Sequence, residues 1–403
     1  MSKVKLVPGL MALLRMAKDR KARIAAAQPA STADPVSAMA HRMHPEALAL
    51  MIEAVREESE SVRTYRLKPR DGAALPVFQA GQYISVKLTV GNSKVSRAYT
   101  ISSAPYEAEG EAGYYELTIR RKPGGLVSNA IWDMWQPGTA VDATGPHGDF
   151  CLNPLRDPDD IVAIAGGAGI TPFISMMKQF AKEEPQRSVT LLYGCRDDCD
   201  VLFEKEIGAL CREYPGRFKR ANTFECCAEG TPLRQGYIDA DFIRASIEHP
   251  ETKTYFICGP AVMYRFLRKE FEKLGKLERK QTRYEVSGAP DNVSAYPGFP
   301  ADLKERVFTA TVQDGLASYA IPARSDEPLL VAVERAGLIL DSRCRSGECG
   351  ICRSALKSGD VFILPDSDGR READRELGYI HPCATYPLSD VTLVIPPGKT
   401  AQT

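Results

Sequence analysis

Four cysteines near the end of the chain, Cys344, Cys349, Cys352 and Cys383, are arranged as Cys-x4-Cys-x2-Cys with the fourth thiol about thirty residues downstream. Thiolates hold iron as a set of four, and this spacing is that of a [2Fe-2S] centre. Zinc is the alternative for Cys349-x2-Cys352, yet structural zinc sites usually come as paired knuckles and no second knuckle is present. Gly347 and Gly350 suit a backbone that wraps closely around the metal and turns N–H groups toward sulfur. The other seven cysteines, at 151, 195, 199, 211, 226, 227 and 258, have no comparable spacing and are read as free thiols. The five histidines are scattered, and none is assigned to metal.

A second constellation is built from glycine. The segment Ala165-Gly166-Gly167-Ala168-Gly169-Ile170-Thr171-Pro172 follows a short apolar run and opens an amphipathic one. Such a turn, lying beyond the carboxyl end of a strand, lets phosphate approach free backbone N–H groups. Glycine serves any tight strand-to-helix turn, so this segment alone decides little. Cys258-Gly259-Pro260 ends a later strand and opens another helix. Two such turns can border one dinucleotide site.

Further upstream, Arg97-Ala98-Tyr99-Thr100-Ile101-Ser102 offers a guanidinium for phosphate and, two residues on, an aromatic ring for a flat ligand. Thr100 points elsewhere with a hydroxyl. Gly124-Gly125-Leu126-Val127-Ser128 opens a helix whose free N–H groups and Ser128 hydroxyl could hold a second phosphate. An ordinary edge strand with surface Arg and Tyr explains the first segment equally well when it is taken alone.

The elements needed to position these residues divide the chain into five parts. Residues 1–45 form an extension in which Met1 to about Gln28 reads as a basic amphipathic helix, and the Ala-, Pro- and Ser-rich run Gln28 to Ala40 reads as a linker. Over 46–155, short alternating segments at Met51–Arg56, Val62–Leu67, Gln82–Val90, Arg97–Ile101 and Tyr114–Arg121 predict a small antiparallel barrel. A helix over Leu126–Met134 and a strand over Ala140–Ala143 complete it. Over 156–286, apolar strands at 161–165, 188–193 and 255–258 alternate with helices at 172–182, 202–213 and 261–274, which predicts a parallel sheet wrapped by helices, with a last strand at Arg283–Val286. Residues 287–304 contain three prolines together with Gly288 and Gly298, and predict a tether that leaves the next domain free to move. Residues 305–397 carry the cysteine cluster.

Residues 46–286 resemble the ferredoxin-NADP reductase superfamily, through Arg97-x-Tyr99-Thr100, Gly125-Leu126-Val127-Ser128, Gly166-Gly167-x-Gly169-Ile170-Thr171-Pro172 and Cys258-Gly259-Pro260 in that order. Residues 305–397, including a helix over Leu329–Ala336, resemble a plant-type ferredoxin domain of β-grasp fold. The fold class implied is multidomain α/β and β: an antiparallel flavin-binding β-barrel, a parallel α/β nucleotide-binding domain and a C-terminal β-grasp ferredoxin domain. By the same resemblance Arg97 contacts flavin phosphate, Tyr99 packs on the isoalloxazine, Thr100 hydrogen-bonds near the ring, Thr118 and Arg120 touch the flavin, and Cys258 touches the nicotinamide. Gly145-Pro146-His147-Gly148-Asp149-Phe150 resembles a segment that lies beside adenine in FAD-binding relatives, which favours FAD over FMN, with Phe150 as the stacking ring. A core role for Phe150 at the domain junction is the alternative. Glu285 matches a position near the flavin in some relatives, but the aromatic residue that usually follows is replaced by Val286 and Ser287.

The activity implied is that of an NAD(P)H-dependent reductase that passes electrons from nicotinamide through FAD to the cluster. Hydride carries two electrons and a [2Fe-2S] centre accepts one, so a flavin must divide the pair. Around Tyr193-Gly194-Cys195-Arg196-Asp197-Asp198 the carboxylates favour ribose hydroxyls while Arg196 could bind a 2′-phosphate, and NADH is preferred over NADPH. The acceptor is expected to be a metalloenzyme, an oxygenase or an iron-sulfur protein. A redox-sensing or docking protein, with cofactors that gate partner binding, is the reading from another class.

Composition agrees with this and excludes other classes. Hydrophobic residues at 44% and charged residues at 26% are those of a globular chain. Lys plus Arg equals Asp plus Glu at 52 each, so there is no overall charge to attract nucleic acid. The longest apolar runs are about half the roughly 20 residues that a membrane span needs. After the apolar patch Leu6–Leu14 come Arg15, Lys18, Arg20, Lys21 and Arg23 in place of a cleavage site, and with eleven cysteines this predicts a soluble protein of the reducing cytoplasm.

Overall fold

The computed structural model describes residues 8–26, 34–43, 45, 47–227, 233–275, 277–285, 288–290 and 292–396. It falls into two compact units, divided after Arg42.

The first unit holds helix α1 (Pro8–Ala26) and all but the last residue of α2 (Pro35–Met43). Helix α1 lies within the basic helix expected from the sequence, whose residues 1–7 and 27–28 are outside the described residues. Helix α2 starts inside the run expected to be a linker. The Asp34 carboxylate accepts the Val36 N–H at 3.0 Å and the Ser37 hydroxyl at 2.6 Å, and Pro35 has no N–H to leave unpaired in the first turn. Local capping outweighs composition there.

In the second unit, β1 (Leu48–Ser59), β2 (Val62–Pro69), β3 (Tyr83–Val90), β4 (Ser93–Thr100), β5 (Tyr115–Arg120) and β6 (Ala140–His147) form an antiparallel sheet in the order β4-β3-β6-β1-β2-β5. An antiparallel bridge from Ile101 to Leu117 joins the two end strands and closes the barrel. Leu48, Leu50 and Ile52 alternate inward along β1 while Ala49, Met51 and Glu53 face out, the period of two that a strand imposes. Helix α3 (Leu126–Met134) crosses between β5 and β6, and its Ile131 is buried in the barrel core.

The next layer is a parallel sheet of β7 (Asp160–Gly166), β8 (Ser188–Cys195), β9 (Phe218–Phe224), β10 (Tyr255–Cys258) and β11 (Thr282–Glu285), in the order β11-β10-β7-β8-β9. Helices α4 (Thr171–Glu183), α5 (Glu204–Glu213), α6 (Ala240–Ser246) and α7 (Ala261–Leu274) connect the strands. Strand β9 and helix α6 carry no clear periodic signal. Lys219, Arg220, Asn222 and Thr223 make β9 polar because it is an edge strand, with one neighbour only. The barrel is fastened to this layer by buried polar contacts. Arg120 Nη1 donates to Asp200 at 2.9 Å, and the Ser175 hydroxyl donates to the Ser103 carbonyl at 2.7 Å.

The last domain has a mixed sheet, β13 (Ala317–Arg324)-β12 (Val307–Asp314)-β18 (Val391–Ile395)-β14 (Ser354–Ser358)-β16 (Tyr379–Ile380), with β12 and β18 parallel at its centre. Strands β15 (Val361–Ile363) and β17 (Thr385–Pro387) form a small ladder, helix α8 (Leu329–Arg335) packs against the domain core and α9 (Glu372–Glu376) lies before β16. The tether expected to leave this domain free is instead packed. Val293, Tyr296 and Phe299 are buried in the domain's own core, Phe299 meets Phe362 edge-on at 5.4 Å, and the Arg265 guanidinium of α7 lies over Tyr296 at 4.4 Å. Prolines set the path of this segment, and two aromatic rings three residues apart anchor it.

Leu329, Leu330 and Val333 of α8 are completely buried, each contributing about 1.5–3 kcal/mol by leaving water. Leu330→Ala is therefore expected to cost about 2–5 kcal/mol in urea unfolding followed by circular dichroism. The same truncation at the fully exposed Leu316, on the β12–β13 turn, should change stability by no more than about 0.5 kcal/mol.

Candidate cofactor cleft and metal centre

A cleft of about 910 Å³ opens between the barrel and the parallel sheet. Tyr99 and Thr100 of β4 and Thr118 and Arg120 of β5 line it from one side. Gly166, Gly167, Gly169 and Thr171 from the turn after β7, with Cys258, Gly259 and Pro260 after β10, line it from the other. The two turns touch: a Cβ on Gly169 would lie 2.1 Å from the Cys258 carbonyl oxygen, so no other residue fits there. Ile170 and Pro172 are buried behind the turn and anchor α4 to the core.

At the junction of the two layers, the Cys258 thiol donates to Glu285 Oε2 at 3.1 Å and the Thr100 hydroxyl donates to Glu285 Oε1 at 3.2 Å. Tyr264 donates its hydroxyl to the Glu285 backbone carbonyl and accepts the Gly259 N–H at 3.0 Å, which ties β11 to the second glycine turn. Burial pushes the Glu285 carboxyl up to about 7 against the effect of these two side-chain hydrogen bonds, and burial also raises the Cys258 thiol. A carboxylate that exchanges its proton near neutral pH thus faces the cleft.

Arg120 splits its guanidinium between structure and cleft. Nη1 donates to Ser61 at 3.0 Å and to Asp200 at 2.9 Å, while the buried Nη2 has no hydrogen-bond partner among the described residues. A Cβ on Gly167 would come within 3.8 Å of Nη2, which places this free donor beside the first glycine turn. A buried guanidinium nitrogen without a partner, beside a glycine turn, fits an anionic, phosphate-bearing ligand. Thr118 lies beside it with its hydroxyl engaged by Thr64 at 2.8 Å and Ser102 at 2.9 Å.

Not every residue singled out in the sequence reaches the cleft. Arg97 does not line it; Nη1 donates to the Ser96 carbonyl at 2.8 Å and lies 3.6 Å from Glu334 of the ferredoxin domain. Burial, and then Arg345 beside it, lower the Arg97 pKa to about 10. Gly125, Leu126, Val127 and Ser128 stand outside the cleft at the start of α3, where Val127 is buried, Leu126 is exposed and the Ser128 hydroxyl accepts the Lys122 N–H at 3.1 Å. Phe150 is not placed as an adenine platform. Its ring is 8% exposed and packs edge-on against Phe173 at 5.9 Å and Phe256 at 5.4 Å, so the core role at the domain junction is the one observed. Arg196 lines the cleft but pairs with its neighbour Asp197 at 2.9 Å. Asp200 and the hydroxyl of Tyr193, which donates to the Gly167 carbonyl at 3.0 Å, were missed as supports of the site. Their partners are distant in sequence and leave no local pattern.

The structure gathers the four cysteines of the C-terminal motif. Cys352 and Cys383 have their sulfurs 3.4 Å apart, and the backbone N–H groups of Ser346 and Cys349 point at Cys344 Sγ from 3.5 and 3.4 Å. Gly347 has φ +83°, and a Cβ there would strike the Ser367 carbonyl at 2.1 Å. The Gly347 carbonyl is bonded by buried His381 Nδ1 at 2.6 Å, which pins the loop. Four thiols around N–H-lined loops are the donor set that an iron-sulfur centre requires. Cys349 is exposed, while Cys352 and Cys383 are buried.

The oxidoreductase FAD-binding domain family matches residues 49–151, the oxidoreductase NAD-binding domain family 163–269, and the 2Fe-2S iron-sulfur cluster binding domain family 313–388. These matches define an iron-sulfur flavoprotein oxidoreductase. The chain belongs to the ferredoxin-NADP reductase superfamily, in the form that carries a C-terminal 2Fe-2S domain. It is 26% identical over 351 residues to the glycine betaine monooxygenase reductase subunit of Chromohalobacter salexigens, covering 84% of this chain and 93% of that protein. It is 28% identical over 353 residues to the ferredoxin reductase component of 3-ketosteroid-9-alpha-monooxygenase of Mycobacterium tuberculosis, covering 85% and 94%. The solved phthalate dioxygenase reductase has the same fold, with a TM-score of 0.63 and 24% identity over 87% of this chain and 98% of that one. FAD as the flavin thus rests on the barrel family rather than on Phe150.

Glu285 has a pH signature. In the unfolded chain its carboxyl ionises near the ordinary 4.5, while in the fold it keeps its proton to about 7, so stability falls as pH rises from 4.5 through 7 and stays lower above. Glu285→Gln in flavin-depleted protein should leave the denaturation midpoint unchanged at pH 4 and raise it at pH 8. An equal shift at both pH values would show that the carboxyl titrates normally.

Proposed function

We propose that this chain is the reductase component of an oxygenase system: it draws hydride from NADH and delivers single electrons to a partner metalloenzyme. The electron path from nicotinamide through FAD to a [2Fe-2S] centre is that of its family. One observation carries the proposal. Strand β4 brings Tyr99 and Thr100 to the cleft and, three residues earlier, hydrogen-bonds the cluster loop through the hydroxyls of Ser96 and Ser342 at 2.8 Å. In this reading the flavin and cluster sites lie next to each other along one strand.

In this reading Cys344, Cys349, Cys352 and Cys383 ligate the iron centre, Tyr99 and Thr100 hold the flavin ring, and Arg97 with Gly125–Ser128 holds flavin phosphate. The glycine turns 166–169 and 258–260 take the dinucleotide, with Arg120 Nη2 as the cationic donor beside them. Bound there, FAD supplies the conversion from paired to single electrons, and the iron centre supplies a one-electron store. Glu285 holds a proton at Oε1 or Oε2, between the thiol of Cys258 and the hydroxyl of Thr100, and can release it near neutral pH. NADH is favoured because Asp197 already pairs with Arg196, a cation at the adenosine end able to read a 2′-phosphate.

An oxygenase acceptor is supported by the two named monooxygenase reductases, which this chain matches over nearly their whole length. The exposed thiol of Cys349 puts one edge of the cluster loop where a partner protein can reach it. No helix among the described residues is long and apolar enough to cross a membrane, and a cytoplasmic location agrees with cysteines that are all unpaired there.

Cys349→Ser is expected to abolish reduction of a one-electron protein acceptor by at least about 100-fold, while NADH oxidation by a direct flavin oxidant persists. Loss of both activities in folded protein would overturn the order of the relay. Asp197→Ala should free Arg196 and move the NADPH-to-NADH ratio of kcat/KM upward by about tenfold, since one charge-assisted contact is worth about 1.4 kcal/mol.

A further inference from the structure

A buried group of charges sits where the barrel meets the ferredoxin domain, and electron transfer as described makes no use of it. Glu334, at the end of α8, is 4% exposed. Its two carboxylate oxygens accept Nη1 and Nη2 of Arg345 at 2.5 and 2.9 Å, and Arg97 Nη1 of β4 lies 3.6 Å from the same carboxylate. Arg97 and Arg345 also donate to one shared acceptor, the Ser96 carbonyl, at 2.8 and 3.2 Å. Arg345 follows the ligand candidate Cys344 directly and holds φ +57°, so its conformation sets the entry to the cluster loop. The Ser96 hydroxyl bonds both the hydroxyl and the carbonyl of Ser342, at 2.8 and 3.0 Å. Strand and loop are thereby joined through Ser96 and Arg97 on one side and Ser342 and Arg345 on the other, with Glu334 of α8 against both arginines.

Two guanidinium cations share one buried carboxylate here, so the triad carries one positive charge in excess, with Arg345 buried and Arg97 about a quarter exposed. Like charges at this separation repel strongly when they are desolvated, and an added anion on the open side of Arg97 offsets that repulsion. This argument rests on the reading above, in which Arg97 takes the flavin phosphate. We propose that Glu334 is a positioning residue through which a phosphate held by Arg97 tightens the seating of the ferredoxin domain on β4. Flavin occupancy and domain seating are then linked, each favouring the other by the same factor. The cluster loop is best ordered against the barrel only when there is a flavin to donate to it.

The test uses the full chain with its cluster intact and measures deuterium uptake in peptides spanning residues 341–347, with flavin removed and then restored. FAD is expected to slow exchange there by at least about fivefold. Riboflavin, which has the ring without the phosphate, is added to saturation as judged by quenching of its fluorescence and should give less than half of that slowing. In Glu334→Gln, with folding confirmed by the cluster absorbance, the FAD-dependent slowing should drop below twofold. If that variant loses the cluster, Arg345→Lys, which keeps the charge and loses the fork, serves the same comparison. Equal protection by riboflavin and FAD, faster exchange with FAD, or full protection in the variant would overturn the proposal. Failure of FAD to remain with the protein on gel filtration would instead overturn the flavin reading on which it rests.

Discussion

A relay that accepts electrons in pairs and releases them singly has to keep its two redox sites within reach of each other, and in this chain the contact between β4 and the cluster loop meets that demand. The strand is short and half-buried, and different residues along it serve different neighbours. Tyr99 and Thr100 face the cleft, Ser96 grips Ser342, and Arg97 lies against Glu334. A register slip of one residue would send each side chain to the opposite face. The closing bridge from Ile101 to Leu117 and the full pairing with β3 guard against such a slip.

The nucleotide side obeys a similar constraint of close backbone approach. Gly169 exists as glycine because the Cys258 carbonyl occupies the space of its Cβ, and that contact brings two turns from distant strands to one cleft. Tyr264 and Tyr193 fix the turns from behind, through the Gly259 N–H and the Gly167 carbonyl. The turns are therefore held by tyrosine hydroxyls bonded to their backbone, a usual division of labour between residues that touch a ligand and residues that hold the site.

Each boundary between domains holds buried or half-buried ionisable groups. Arg120 with Asp200 spans barrel and nucleotide layer, Arg97 with Glu334 spans barrel and ferredoxin domain, and Glu285 closes the junction of the first two. Breaking such a pair from one side strands a charge, so the domains are held in a specific arrangement even where the net stabilisation is small. The packed segment around Tyr296 and Phe299 acts in the same direction.

The chemistry was legible in the chain because it depends on local spacing. The intervals between Cys344, Cys349 and Cys352, the glycine turn after β7 and the Arg97-x-Tyr99-Thr100 segment each lie within a single loop or strand, and the alternation of apolar residues was enough to place most barrel strands and the parallel sheet. What residues distant in sequence do to one another was not legible. Phe150 reads as a ring for adenine until Phe173 and Phe256 enclose it, Arg97 reads as a residue with one partner until Glu334 of another domain lies beside it, and 287–304 reads as a loose tether until its aromatic rings find Phe362 and Arg265. Edge strand β9 was hidden because an exposed edge needs no apolar run. Backbone conformation and metal-ligand spacing are properties of neighbouring residues and can be read from order alone, whereas burial, charge pairing and pKa depend on which surfaces meet, and only the folded chain decides that.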